Sequence, residues 1–257
     1  MRISASVISH PGNCREKNED NFCFNGKKLN KDATLRPLRF KGTTECPVLM
    51  GIFDGMGGIK AGERASLITA EIACTAISNI NEVSDFDAFQ IDICRQANVA
   101  VCDEMLNVIK QRIGTTASML CFNEERYHLC NIGDSPIYLF RDEQLKAIFH
   151  EHTEKENFLR IHGLDAALPQ KKFKLTQNIG IFPEEMEIEP FVLSGEVKSK
   201  DRFLITSDGL TDMVDESVIA EILSRGMSSA KTVKKLLEQA LDNGGKDNTT
   251  IICIDIK

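Results

Sequence analysis

The sequence repeatedly places an acidic residue next to a short apolar run, and this pattern constrains the fold more than any other feature. Acidic residues at the end of such runs, or just before their start, are Glu19, Asp20, Asp54, Asp134, Asp208 and Asp247. Any one of them, beside a glycine or serine, is typical of an ordinary turn. Several carboxylates at strand ends can share one cleft only where a cation neutralises them. The pattern therefore predicts strands whose ends meet at a cation site.

The candidate ligands are all oxygen donors, because no histidine or cysteine stands beside these motifs. Such a set favours Mg²⁺ or Mn²⁺ over zinc or copper. Two such ions about 4 Å apart would activate a water and hold the oxygens of a phosphoryl group. Gly55, Gly57 and Gly58 follow one of the apolar runs and would let the backbone approach the ions closely, although a flexible turn is the alternative.

Arg15 stands a few residues before the acidic pair Glu19 and Asp20. Its guanidinium could bind a phosphate through two donors. The alternative is a surface ion pair with those same acids, which would contribute little. The sequence alone leaves these two interpretations evenly balanced.

Apolar spacing predicts both helices and strands, in separate clusters along the chain. Helices are expected after Gly58 through Ile80, over 85–111 with Asp85 as cap, after Asp215 to Gly226, and after Ser228 to Gly244. Strands are expected at 115–122, 126–132, 136–140, 145–149, 202–206 and 249–256. This clustering favours layered α+β packing. Since no repeat or linker interrupts the chain, residues 1–257 are expected to form one domain.

Two segments, 26–46 and about 154–185, show weak periodicity and are predicted to be surface excursions. The first is basic. A solvated loop is the simpler interpretation of each, and substrate docking is the alternative.

Composition excludes several classes of protein. With 31 Lys and Arg against 38 Asp and Glu, the net charge of −7 argues against a nucleic-acid partner. No apolar run reaches the roughly 20 residues of a membrane span, and the N-terminus lacks a signal-peptide pattern. The nine cysteines are scattered without a CxxC pair, which indicates reduced thiols in a cytoplasmic protein. Nucleotide-binding glycine loops are absent, so kinase, GTPase and dehydrogenase functions are disfavoured.

Six motifs occur in an order that resembles the metal-dependent serine/threonine protein phosphatases of type 2C, in their bacterial form. The motifs are Arg15 with Asn18-Glu19-Asp20, Phe53-Asp54-Gly55-Met56-Gly57-Gly58 with the following Ala61-Gly62-Glu63, Gly114-Thr115-Thr116-Ala117, Asn131-Ile132-Gly133-Asp134-Ser135, Ser207-Asp208-Gly209-Leu210 and Lys246-Asp247-Asn248. The resemblance runs nearly from end to end.

That resemblance implies a four-layer αββα sandwich, in which two antiparallel sheets are flanked by helix pairs, with two Mg²⁺ or Mn²⁺ ions at one end. By this likeness Asp54 bridges the ions, Asp208 and Asp247 complete one site, and the Gly55 carbonyl with Glu19 serves the other. Asp134 with Asp208 corresponds to a third, weaker ion position. Asp20 stands behind the ligands, and Arg15 binds the substrate phosphate. The nucleophile is then a bridging water, and residues 154–185 form a flap beside the cleft.

Three positions depart from the family pattern. Met56 replaces a histidine that eukaryotic relatives use as a general acid, Pro136 replaces a common basic residue, and the 26–46 segment is longer and more basic than usual. The expected activity is hydrolysis of phosphoserine and phosphothreonine in proteins by a cytoplasmic monomer that opposes a cognate kinase. The alternative is a catalytically inactive relative that serves as a binding module. A metal-dependent nuclease is disfavoured by the acidic composition.

Overall fold

The computed structural model describes residues 1–30, 38–57, 61–163, 168 and 173–257, with the backbone alone for 38–45. In this part of the chain, strands β1–β13 are Arg2–His10, Asn21–Phe24, Leu38–Glu45, Val48–Phe53, Gly55–Gly57, Ile113–Thr115, Ala117–Asn123, Arg126–Ile132, Ile137–Arg141, Gln144–Ala147, Phe191–Glu196, Arg202–Thr206 and Thr249–Ile256. Helices α1–α6 are Gly62–Ala76, Phe86–Glu104, Glu154–His162, Asp208–Thr211, Glu216–Ser224 and Ser229–Asp242.

Two antiparallel sheets form the centre of the molecule. One has six strands in the order β10-β9-β12-β13-β1-β3, and the other has five in the order β11-β8-β7-β4-β2. The short strands β5 and β6 pair beside them. A core that includes Phe122 and Phe203 fills the space between the sheets. Helices α1 and α2 pack on the outside of the five-stranded sheet, and α5 and α6 on the outside of the six-stranded sheet. The αββα prediction is confirmed.

Strand β13 shows why its sequence is apolar without a clean alternation. Ile252 and Ile254 face the core between the sheets, while Ile251 and Cys253 face α5 and α6. Because the sheet is covered on both faces, both sets of side chains lie out of water. The predicted strand 249–256 is confirmed.

The predicted helix over 85–111 is too long. Asp85 caps it as expected, since its carboxylate accepts hydrogen bonds from the backbone N–H groups of Asp87 and Ala88. The α-helix ends at Glu104, and a π-helical turn over Met105–Ile109 leads to Lys110 in a left-handed conformation. A wide turn and a left-handed residue of this kind end the regular hydrogen bonding.

The two predicted excursions are partly regular structure. Strand β3 occupies the end of the 26–46 segment and pairs with β1. Helix α3 opens the 154–185 segment, capped by Thr153, whose hydroxyl accepts a hydrogen bond from the backbone N–H of Glu156. Residues 31–37, 58–60, 164–167 and 169–172, which include Gly58 and the middle of both excursions, lie outside the described residues. Strand β11 had no counterpart among the predicted strands.

No helix in the described part of the chain is both long and apolar enough to cross a bilayer.

Candidate active site

Strand register gathers the acidic motifs at one end of the two sheets. Asn21 of β2 lies opposite Phe53 of β4 in an antiparallel pair, so Asp20, just before Asn21, and Asp54, just after Phe53, lie side by side. Thr206 of β12 lies opposite Ile251 of β13, which places Asp208 near the turn that precedes β13. Asp247 lies in that turn. The site is therefore assembled from both sheets, at the ends of their strands.

Four neighbouring carboxylates act on Asp54. Burial and like charge raise the pKa of Asp54 well above its ordinary value. Burial is the largest cause, and the next are the negative charges of Asp20, Asp208, Asp134 and Asp247. All five of these predicted site residues thus lie within electrostatic reach of one another.

Asp208 and Asp134 respond to the same surroundings. Burial, followed by the charge of Asp134, raises the pKa of Asp208 to about 8. Burial, with the charges of Glu151 and Asp212, raises the pKa of Asp134 to about 6. Carboxylates in such a group must either take up protons or gain a cation, because like charges in a poorly solvated place repel.

Asp20 lies deepest in the group, with 2% of its surface exposed. The Ser207 hydroxyl donates a 2.8 Å hydrogen bond to its Oδ2, and the same hydroxyl accepts from the backbone N–H of Thr250. Burial raises the pKa of Asp20 to about 6, although hydrogen bonds with the side chains of Thr250 and Ser207 oppose the rise. Among the described residues, no hydrogen bond of normal length reaches its Oδ1. One buried carboxylate oxygen therefore remains available beside Asp54.

The Gly114-Thr115-Thr116 motif holds the backbone of Asp54. The Thr115 hydroxyl and the backbone N–H of Thr116 both donate to the Asp54 carbonyl, at 2.8 and 2.9 Å. The Asp54 N–H donates to the Thr116 hydroxyl, which also bonds to the Ser135 hydroxyl at 2.7 Å. Three separate motifs of the sequence are therefore linked by a buried hydrogen-bond network that fixes where Asp54 stands.

Asn248 ties the segment containing Arg15 to the segment containing Asp247. Its side-chain amide donates to the carbonyls of Pro11 and Lys17, and its Oδ1 accepts from the backbone N–H of Glu19 at 2.7 Å. Asn248 is buried, so these hydrogen bonds are shielded from water.

Arg15 lies on the rim of the group and pairs with one of its members. A guanidinium nitrogen of Arg15 lies 2.5 Å from Oδ2 of Asp247, and about half of the Arg15 side chain is exposed. A cleft of about 320 Å³ opens beside this pair. It is lined by Cys14, Arg15, Glu16, Lys17, Glu19, Gly57 and Asn248. Arg15 therefore forms an ion pair with Asp247 instead of the predicted pair with Glu19 or Asp20, and it also faces a cleft.

Glu19 and Gly55 adjoin Asp20 and Asp54 in the chain and meet at their backbones. The Glu19 carboxylate interacts with Glu63 and Arg15, and burial together with the Glu63 charge raises its pKa. A side chain on Gly55 would meet the carbonyl oxygens of Glu19 and Gly62 at 2.4 Å. Only glycine permits this close approach of three backbone segments.

Comparison with known proteins gives one family. The protein phosphatase 2C family model matches residues 23–243. The chain belongs to the protein phosphatase 2C family. Serine/threonine protein phosphatase PstP of Mycobacterium tuberculosis is 32% identical over 81% of the chain, and protein phosphatase PhpP of Streptococcus pneumoniae is 30% identical over 79%. The chain spans 40% of the length of this PstP and 83% of PhpP.

Solved structures agree with the family assignment. A crystal structure of the catalytic domain of PstP in complex with two manganese ions matches over 100% of both chains, with 27% identity and a TM-score of 0.77. The two-sheet architecture described above is therefore that of the protein phosphatase 2C family.

The donor set of the acidic group fits hard divalent cations. Its atoms are carboxylate oxygens, with one unpartnered oxygen on Asp20, and their mutual repulsion is relieved by positive charge. Among the described residues, however, no three acidic, histidine or cysteine side chains form a ready metal cluster. Asp247 illustrates the reason, since its carboxylate is turned to the Arg15 guanidinium.

Asp212 belongs to the electrostatic group but was not among the predicted site residues. Its charge raises the pKa values of Asp134 and Asp208, and burial with the Asp247 charge raises its own pKa. The sequence feature that could have identified Asp212 is its spacing from Asp208. The two residues are four apart, and residues four apart lie on one face of a helix.

Proposed function

We propose that this chain is a metal-dependent phosphatase that hydrolyses phosphoserine and phosphothreonine monoesters in proteins. The observation that carries the proposal is the group of mutually repelling carboxylates around Asp54, beside a cleft with an exposed arginine on its rim. Family membership supports the same activity. The PstP structure with two manganese ions supports Mn²⁺ or Mg²⁺ as the cofactor.

We assign the cation ligands to the acidic group. Asp54 would contact two ions, with Asp208 and Asp247 on one and Glu19 and the Gly55 carbonyl on the other. Asp134 would serve a third ion together with Asp208, while Asp20 would orient the ligands from behind. Bound there, the ions would lower the pKa of a coordinated water and neutralise charge on the phosphoryl oxygens.

The protein's own contribution is to fix and orient these groups. The hydrogen bonds from Thr115 and Thr116 hold the Asp54 backbone, so its carboxylate extends from a fixed point of the chain. Arg15 would bind two phosphate oxygens through its planar guanidinium, which matches their geometry. The thioether of Met56 carries no proton to donate, so the leaving alkoxide would be protonated by solvent.

The test is hydrolysis of an aryl phosphate and of a phosphothreonine peptide with Mn²⁺, with Mg²⁺ and with EDTA. We expect turnover with either metal and none with EDTA. Asp208→Asn should lower kcat/KM on the order of a hundredfold or more, as expected when a main electrostatic group is removed. Asp242→Asn changes an exposed aspartate at the end of α6 and should leave turnover unchanged.

A folded wild-type chain that stays inactive with both metals would contradict the proposal. The inactive binding module would then be the better interpretation. The complete set of Asp54, Asp208 and Asp247 argues against that module, because a relative without catalysis would be expected to have lost at least one of them.

We also propose the wider setting. Residues 1–257 would form one catalytic domain with residues 154–185 as its flap, acting as a cytoplasmic monomer on phosphoproteins made by a serine/threonine kinase. The cysteines of the chain are all present as free thiols, which supports a reducing compartment. Size-exclusion chromatography with light scattering would test the monomer.

A further inference from the structure

Two thiols face each other behind the acidic group. Cys23 lies on β2 and Cys74 in the last turn of α1, and their sulfur atoms are 3.3 Å apart. This separation exceeds a disulfide bond of about 2.05 Å by little more than an ångström. The two cysteines belong to different elements, so their proximity comes from the packing of α1 on the five-stranded sheet.

The two thiols differ in exposure and in charge environment. Cys23 is fully buried, whereas Cys74 is partly exposed. The hydrogen bond between the two thiols, and further the positive charge of Lys28, lower the pKa of Cys74 and outweigh its burial and the Glu71 charge, while burial raises the pKa of Cys23. Lys28 is held close by, with its ammonium 3.3 Å from Glu71. Cys74 is therefore the better nucleophile and also the thiol that solvent can reach.

A second pair provides a comparison within the same molecule. The sulfur atoms of Cys94 and Cys130 are 3.9 Å apart, and both residues are buried. Burial and the neighbouring Cys94 thiol raise the pKa of Cys130. This pair is close in space but lacks an exposed member, so a soluble oxidant has no direct access to it.

We propose that Cys23 and Cys74 are a reversible disulfide site that hydroperoxides oxidise. The Cys74 thiolate attacks one peroxide oxygen, which forms a sulfenic acid and releases hydroxide. Cys23 sulfur then attacks the Cys74 sulfur and displaces the sulfenic hydroxyl, which leaves with the Cys23 proton as water as the S–O bond breaks and the disulfide forms. The hydroxide released in the first step takes up the proton that the Cys74 thiol lost. Two thiols are oxidised and one hydrogen peroxide is reduced to two waters. A small dithiol reverses the reaction by exchange.

The position of the pair connects it to the acidic group. Strand β2 begins one residue after Asp20, and in the described sheet it pairs with β4 alone, so it is an edge strand that lies beside α1. The Ser66 hydroxyl of α1 donates a 2.6 Å hydrogen bond to the Glu19 carbonyl. A disulfide between Cys23 and Cys74 would therefore crosslink β2 and α1 at the ends that lie away from Glu19.

The experiment exposes the full chain to one equivalent of hydrogen peroxide, alkylates the remaining thiols in denaturant so that buried cysteines also react, and maps the peptides without reduction. We expect a crosslinked peptide containing Cys23 and Cys74, which dithiothreitol removes. The thermal unfolding midpoint should rise by several degrees on oxidation, because the crosslink closes a long loop of the unfolded chain. Cys74→Ser should abolish both effects, and Cys94→Ser should preserve both.

The proposal is overturned if Cys23 remains alkylatable while Cys74 is intact or carries a sulfinic acid. It is equally overturned if the crosslink between Cys94 and Cys130 forms at the same rate. The wild-type peptide map decides the question even if Cys74→Ser does not fold. Neither readout uses phosphatase activity, so failure here is distinct from failure of the proposed function.

Discussion

The three hydrogen bonds of Asn248 should make this residue critical for both stability and turnover. Its amide group donates to the carbonyls of Pro11 and Lys17 at 2.9 and 2.8 Å, and its oxygen accepts from the N–H of Glu19 at 2.7 Å. Only 5% of the Asn248 surface is exposed, so water has little access to these groups. Two substitutions, Asn248→Ala and Asn248→Asp, would remove these hydrogen bonds in different ways.

Asn248→Ala removes three hydrogen bonds worth about 1 kcal/mol each, so the free energy of unfolding should fall by about 3 kcal/mol. Asn248→Asp has the size of the native side chain but replaces the donating amide by an oxygen. Its carboxylate would then face two carbonyl oxygens and add charge beside Asp247. We therefore expect Asn248→Asp to cost about 1–2 kcal/mol more than Asn248→Ala.

The assay is urea unfolding followed by far-UV circular dichroism, with kcat/KM for an aryl phosphate measured on the same samples. Asn243→Ala is the matched control, because the Asn243 amide donates one hydrogen bond, to the Met213 carbonyl, and lies at an exposed position. Both Asn248 variants should also lose turnover, since Arg15 and Glu19 lie on the segment that Asn248 holds. An Asn248→Asp protein as stable as the wild type would refute the reasoning.

Three further predictions concern charge and packing. In EDTA, the free energy of unfolding should fall as the pH rises from about 4 to about 8, since the pKa of Asp208 is raised to about 8 and its ordinary value lies near 4. Over this range the folded chain keeps the Asp208 proton that the unfolded chain releases. Urea midpoints that stay constant from pH 4 to pH 8 would contradict this prediction. Arg15→Ala should raise KM for aryl phosphate about tenfold with a smaller change in kcat, and steady-state kinetics that show only a kcat effect would contradict phosphate binding. The Phe203 ring is fully buried against Phe122 and Tyr127. Phe203→Ala should therefore lower the free energy of unfolding by about 3–5 kcal/mol in urea titrations, and a loss below about 1 kcal/mol would contradict this prediction.

The sequence predicted the layers of the fold well where one periodicity dominated. Helix α6 has an apolar stripe that packs Val233, Leu236 and Leu237 against the six-stranded sheet, and such a stripe is visible without a structure. Strand β11 escaped prediction because its residues are only partly buried and its sequence includes Gly195. The end of α2 was misjudged because apolar spacing continues through the π-helical turn to Val108, which is 65% exposed.

The site could be predicted as a set of acids but not as a network. Strand ends marked by Asp54, Asp134 and Asp208 were visible because each follows an apolar run. Nothing in the sequence shows that the Ser207 hydroxyl would donate to Asp20, because that hydrogen bond joins residues that are distant along the chain. Such contacts depend on sheet register, and register follows from the packing of the whole core.

The pairing of β1 with β13 has a consequence for how the protein is made. Strand β13 lies between β1 and β12, so the six-stranded sheet has a gap at its centre until residues 249–256 have left the ribosome. Asp247 and Asn248 directly precede that strand. A nascent chain can build much of the five-stranded sheet early, but Arg15 and Glu19 gain their fixed positions only after residues 247–256 have been synthesised. The complete site can therefore assemble only after strand β13 has been synthesised.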